Sequence, residues 1–228
     1  MSMKVRALFI SDCHLGSEYC NHDKLAQFLS EVECEYLYIV GDFIDGWLLK
    51  QNFKWHNNYN LIIQKILRLS RKGTQVYYLY GNHDDFLEHY DGLHLGDNIV
   101  ICRENFYTTL KDKHYLIIHG DQFDGIITKF KYIQYIGALI YEISLGLNKL
   151  FRVFKFSFSN FLKYINNYEA LVSDYCKKYE FDGVITGHIH KPADKYISDV
   201  HYLNCGDWVE SNTAIIETLE GELKLIKL

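Results

Sequence analysis

Seven side chains able to ligate a metal stand in five short clusters: Asp12 and His14 in Ser-Asp-Cys-His, Asp42 in Gly-Asp, Asn82 in Gly-Asn-His-Asp, His119 in His-Gly-Asp, and His188 and His190 in Gly-His-Ile-His. Carboxylate, amide and imidazole donors mixed in this way suit borderline divalent cations, manganese first, with iron, zinc or nickel also accommodated. Cysteine is absent from the set, which argues against a structural zinc site. Seven ligands exceed the needs of one ion, so two divalent ions sharing a carboxylate is the economical arrangement. Such a pair activates water and steadies phosphoryl oxygens, which is the chemistry of phosphoester hydrolysis without a serine or cysteine nucleophile. Cys13 is then a bystander inside the first cluster.

A lone Asp-x-His or His-x-His triplet is weak evidence, and Gly-Asn-His-Asp alone reads equally as a turn with a helix cap. Placement adds the weight. Each cluster directly follows a short run rich in β-branched and aromatic residues, at Val5 to Ile10, Tyr36 to Val40, Val76 to Tyr80, Tyr115 to Ile118 and Val184 to Thr186. Further strands are expected at Ile99 to Cys102, Tyr202 to Asn204, Ala214 to Glu217 and Leu223 to Ile226, enough for two sheets, with helices over Lys24 to Val32 and Asn58 to Lys72. In layered α/β folds the carboxyl ends of strands converge on one edge, where loops remote in sequence can build one site.

Composition frames these elements. The chain has 228 residues, 48% of them hydrophobic, one proline and no low-complexity stretch, so a single domain spanning 1–228 is expected. A formal charge of −5 disfavours a general nucleic-acid-binding surface. Six scattered cysteines without a Cys-x-x-Cys pair fit reduced thiols in a cytoplasm. The apolar run near the start is too short for a signal peptide, and no stretch reaches the roughly 20 apolar residues of a spanning helix.

The motif series Asp-Cys-His, Gly-Asp-Phe-Ile-Asp, Gly-Asn-His-Asp, His-Gly-Asp and Gly-His-Ile-His, from positions 12 to 190, resembles that of the calcineurin-like metallophosphoesterases. The resemblance implies a four-layer αββα sandwich. It also implies one metal held by Asp12, His14, Asp42 and His190, and a second held by Asp42, Asn82, His119 and His188, with Asp42 bridging. In that wider family a histidine at the place of His83, paired with a carboxylate at the place of Asp45, assists the leaving group. A carboxylate beside an imidazole orients the ring and favours its protonated form. Asp45 alone also reads as a structural partner. Asp84 closes the Gly-Asn-His-Asp motif, and Asp121 and Asp124 stand just beyond His119, where they could orient it or its neighbours or cap a following helix. Trp47 and Trp208, beside motif glycines, read as core residues, with stacking on a nucleobase as the lesser alternative.

Longer strings, Ser-Asp-Cys-His-Leu-Gly at 11–16, Gly-Asp-Phe-Ile-Asp-Gly-Trp at 41–47, His-Gly-Asp-Gln-Phe-Asp-Gly at 119–125 and Asn-Cys-Gly-Asp-Trp-Val-Glu-Ser at 204–211, are similar to the UDP-2,3-diacylglucosamine diphosphatase branch, whose members form lipid X and UMP in lipid A biosynthesis. The best-studied enzymes of that branch carry Gly-Asn-Arg-Asp, and His83 stands here in place of the arginine.

Between His119 and His188 the chain is longer than a connection requires. Over about 126–165, Ile133, Ile136, Ile140, Ile143, Leu147, Leu150 and Phe154 recur at helical spacing. The same stretch has six basic residues against Glu142 alone, a local charge of 6 − 1 = +5, and an aromatic series that includes Phe154 and Phe158. Packing of this stripe on the main core is the plain reading. Lysines such as Lys163 interleaved with surplus apolar surface also suit a helical lid that holds acyl chains and rests on an anionic membrane surface. The resemblance implies such a lid, a UDP-linked acylated sugar as substrate and peripheral contact with the cytoplasmic face of the inner membrane. A soluble phosphodiesterase or nucleotide phosphatase, or a non-catalytic scaffold on the same fold, are the alternatives.

Overall fold

The computed structural model describes residues 3–51, 55–124 and 155–228, leaving aside the side chains of 49, 155–164 and 166. Strand β1 (Met3–Ile10) alternates its side chains between two cores. Leu8 and Ile10 face helices, and Ala7 and Phe9 face a second sheet, as the two-residue period of a strand requires. Both sides are buried, hence the continuous apolar run.

Helix α1 (His22–Glu31) leads into β2 (Val32–Val40). A short α2 (Gly46–Leu49) and the longer α3 (Asn57–Arg71) precede β3 (Gln75–Leu79). The chain continues through β4 (His94–Leu95), β5 (Ile99–Cys102), β6 (Glu104–Thr108) and β7 (His114–Ile118). After α4 (Lys155–Lys178) come β8 (Gly183–Thr186), β9 (Ala193–Ile197), β10 (Val200–Asn204), β11 (Thr213–Glu217) and β12 (Leu223–Lys227).

The strands form a seven-stranded sheet in the order β12-β11-β1-β2-β3-β5-β4 and a five-stranded sheet in the order β6-β7-β8-β10-β9. Helices α1 and α3 cover the outer face of the first sheet, burying Leu25, Leu29, Ile62 and Leu69. Helix α4 covers the second with Ile165, Tyr168, Val172 and Cys176, one stripe at helical spacing. Each such fully buried aliphatic side chain contributes about 1.5–3 kcal/mol. The result is the expected αββα sandwich.

Within the first sheet β1, β2, β3 and β5 run parallel, and within the second β7, β8 and β10 do. The carboxyl ends of β1, β2, β3, β7 and β8 therefore deliver the five motif loops to one edge.

All nine expected strands and both expected helices are present. The strands not foreseen, β4, β6 and β9, are short or lie at sheet edges, and their exposed residues lack the apolar run that marks the others. Of the expected lid, Ile133, Ile136, Ile140 and Phe154 lie outside the described residues, as do the side chains of Phe158 and Lys163. The backbone of α4 runs without interruption through residue 165 to Lys178, so the expected end of the insertion falls inside a helix.

Candidate metal centre

Five of the seven candidate ligands, Asp12, His14, Asp42, His188 and His190, have backbone φ between 46° and 70°. Side-chain-bearing residues rarely adopt this left-handed region, and where they do the surrounding structure must hold them there. Here the hold comes from neighbouring loops. Asp12 N donates to Gly41 O (3.1 Å), His14 N to Asp42 O (2.9 Å) and Trp208 N to Asp12 O (3.1 Å). The glycines before the ligands permit this crowding: a Cβ at Gly81 would strike Asp42 and His119, and one at Gly187 would strike Ser11 and Asp12.

Ring nitrogens and carboxylate oxygens converge in three groups, each within 4.8 Å: Asp12, His14 and His190; Asp42, His119 and His188; and His14, Asp45 and His83. The first two each hold three of the four ligands that the family resemblance implies for one ion. Asp12 Oδ2 is occupied, accepting from His188 N (2.9 Å) and from Ser11 Oγ. Its Oδ1 lies 3.2 Å from His190 Nε2 and 3.9 Å from His14 Nε2. His119 Nε2 lies 3.2 Å from Asp42 Oδ2. Despite these approaches, Asp12 Oδ1 and His119 Nε2 are buried without a hydrogen bond, and so is Asn82 Oδ1. Buried polar atoms are almost always paired, so orphans in both halves of the cluster are what a set of unfilled cation ligands would show. The donor set and the orphans together fit two divalent ions.

Second partners fix which atom each ligand offers. Val40 O accepts from His119 Nδ1 at 2.9 Å, leaving Nε2 for the centre. Asp124 Oδ2 holds His188 Nε2 at 2.7 Å, leaving Nδ1. Asp45 Oδ2 holds both His14 Nδ1 (3.2 Å) and His83 Nδ1 (3.0 Å), so the third group is an orienting cluster. Asp45 Oδ1 also accepts from Leu48 N at 3.0 Å and thereby caps α2. Asp84 accepts from Asp42 N (3.2 Å), Phe43 N (3.0 Å) and Tyr78 Oη (2.9 Å), and so sets the loop that carries Asp42.

Two neighbours of the centre take places that the sequence left open. Asp121 does not touch His119; both of its oxygens accept from Arg103 Nη2 at 2.8 Å, and Arg103 Nη1 donates to Tyr80 O (2.8 Å), tying the His119 loop to the end of β3. Trp208 is fully buried against Phe28, as a core residue should be, but Trp47 is half-buried and stacks on His83 with ring centroids 3.9 Å apart.

Electrostatics follow from the packing. Burial works against charge on Asp12, but His190 and His119 override it and hold the carboxyl down to about 2. Asp42 lies well below the usual range for the same reason, through His119 and His83. Burial works to lower His190, but Asp12 outweighs it and raises the ring to about 9. Burial and the Asp42 carboxylate push Asp84 up to about 6. The carboxylates thus demand positive charge nearby, which protonated imidazoles supply in the metal-free protein and which bound cations would supply with the rings neutral.

The calcineurin-like phosphoesterase family model matches residues 5–192. A UDP-2,3-diacylglucosamine hydrolase of Porphyromonas gingivalis is 23% identical, covering 96% of this chain and 99% of that protein. One from Blochmanniella pennsylvanica is 30% identical, covering 82% of this chain and 79% of that protein. A hypothetical protein of Pyrococcus horikoshii of solved structure superposes with a TM-score of 0.56 at 11% identity, covering 99% and 88% of the two chains, a likeness of fold alone.

Proposed function

Because the chain belongs to the calcineurin-like phosphoesterase family, and is thus a hydrolase built on a dinuclear divalent metal centre, we propose that it cleaves the diphosphate of UDP-2,3-diacylglucosamine to 2,3-diacylglucosamine 1-phosphate and UMP. The observation that carries this reading is end-to-end similarity to a hydrolase of that name, 96% of one chain on 99% of the other, which extends beyond the metal motifs.

In this reading Asp12, His14, Asp42 and His190 hold one ion and Asp42, Asn82, His119 and His188 the other, manganese first, with iron, zinc or nickel accepted. When bound, the pair supplies Lewis acidity to water and to the phosphoryl oxygens. The chain's own residues do the rest. Asp124 and the carbonyl of Val40 set the rings of His188 and His119, and Asp45 sets those of His14 and His83. With Nδ1 on Asp45, His83 keeps Nε2 for delivery of a proton to the departing oxygen. Burial works against charge on this ring, but Asp42 and Asp45 outweigh it and raise the imidazole above its usual value, the direction that a proton donor requires.

Segment 126–165, basic and apolar, is assigned to the acyl chains and to peripheral contact with the cytoplasmic face of the inner membrane. Among the described residues no helix is long and apolar enough to cross a membrane. The intact pair of His83 and Asp45 favours a second reading, a phosphodiesterase or nucleotide phosphatase acting on soluble esters.

Purified protein with manganese, assayed on UDP-diacylglucosamine, UDP-N-acetylglucosamine and a cyclic nucleotide, separates the two. Release of UMP from the first alone is expected. Hydrolysis of the cyclic nucleotide with the acylated substrate untouched would overturn the proposal in favour of the second reading. Shortening 126–165 should cost turnover of the acylated substrate far more than turnover of an aryl phosphate.

A further inference from the structure

We infer that Trp47 is a positioning residue that locks the His83 imidazole in its working orientation, an inference that rests on the leaving-group role proposed above for His83. The indole lies over the imidazole with centroids 3.9 Å apart and planes 29° apart, a stacked pair. On another side His14 meets the same ring edge-on, at 4.6 Å and 90°. Asp45 grips Nδ1 in the ring plane at 3.0 Å. One hydrogen bond leaves a ring free to rock about the bond axis, and a flat aromatic surface against its face removes that freedom.

The two residues are joined through the backbone as well. Gly46 N donates to His83 O at 2.8 Å, and His83 N donates to Asp42 Oδ1 at 2.8 Å. Asp45 caps the turn that presents Trp47 while its other oxygen holds His83, so one carboxylate places both the ring and the surface on which the ring rests. Gly46 allows this close pairing, since a Cβ there would strike His83 O and the ring of Phe86. Trp47 reaches the chemistry through His83, and its contribution therefore belongs to kcat for substrates whose leaving group needs a proton.

The test compares wild type, Trp47→Ala, Trp47→Phe, His83→Ala and the double variant on an alkyl phosphodiester and on a nitrophenyl phosphodiester, all loaded with manganese. Trp47→Ala should lower kcat on the alkyl ester about tenfold, the equivalent of roughly 1.4 kcal/mol, with KM within twofold, and should lower it little on the nitrophenyl ester. Trp47→Phe should recover most of the loss, and in the His83→Ala background removal of Trp47 should cost less than twofold. An equal cost in both backgrounds, or an effect confined to KM, overturns the positioning role. If His83→Ala loses as much on the nitrophenyl ester as on the alkyl ester, the leaving-group role fails, while the coupling between the two residues is still read from the double variant. Should His83→Ala be inactive, the Hε1 proton resonance of His83 in the chelator-stripped, metal-free proteins decides: an upfield ring-current shift lost in Trp47→Ala supports the stack, and an unchanged resonance overturns it.

Discussion

Replacing Asp124 with alanine should weaken one of two bound cations and spare the other. The Asp124 carboxylate reaches His188 Nε2 at 2.7 Å with side chains only 7% and 11% exposed, so little water is at hand to replace it. Removing it frees the imidazole to rotate and to exchange tautomers, and leaves the Nε2 proton without its acceptor. Loss of such an outer partner typically costs 10–100-fold in metal affinity, or about 1.4–2.7 kcal/mol. Because His119 keeps its own orienting partner in Val40 O, the loss should fall near the lower end. The assay is calorimetric titration of chelator-stripped protein with manganese, resolved into two steps. His190→Ala, in the other group, marks the step belonging to Asp12 and His14. Asp124→Ala should weaken the other step tenfold or more and leave the marked step within about threefold. Equal weakening of both steps, or no change in either, would refute the division of ligands between two ions.

Metal-free and metal-loaded protein should respond oppositely to rising pH. His190, raised to about 9 in the folded chain from about 6.5 unfolded, contributes stability that is complete below pH 6.5 and lost as pH climbs through 9, and Asp12, held at about 2, contributes stability lost only as pH falls below about 4. Thermal melts in chelator should therefore decline from pH 6.5 to 9, while melts in manganese rise over the same span as the imidazole ligands deprotonate; parallel profiles would contradict the exchange of imidazolium for metal. Glu217 is fully buried and accepts from Arg6 Nη1 (2.7 Å), Leu110 N (2.8 Å) and Tyr107 Oη, joining the two sheets at a distance from the centre. Glu217→Ala should destabilise by about 3–5 kcal/mol in urea titration without changing metal stoichiometry, and a loss below about 1 kcal/mol would show that the cluster is not a structural tie.

The parallel strands were legible because burial on both faces demands continuous β-branched and aromatic runs, as in Tyr36 to Val40. The edge strand β6 was not, since Tyr107 is the sole buried residue among its five. The ligands could be read because their types carry the chemistry, whereas their supports largely could not. Val40 orients His119 through a carbonyl, which has no side-chain identity to read. The sequence left Asp121 either to orient His119 or its neighbours or to cap a helix, and gave no sign of Arg103, which the antiparallel pairing of β6 with β7 brings to it from 18 residues upstream. Trp47, a residue type that usually signals core, lies instead on His83 because the capped turn of α2 holds it there.

In the proposed centre two cations sit side by side and share Asp42. Anomalous diffraction at the manganese edge, from crystals grown with manganese, tests it most directly. Two peaks should appear, both beside Asp42, one next to Asp12, His14 and His190 and the other next to Asn82, His119 and His188. A single peak, or a pair of peaks away from Asp42, would contradict it.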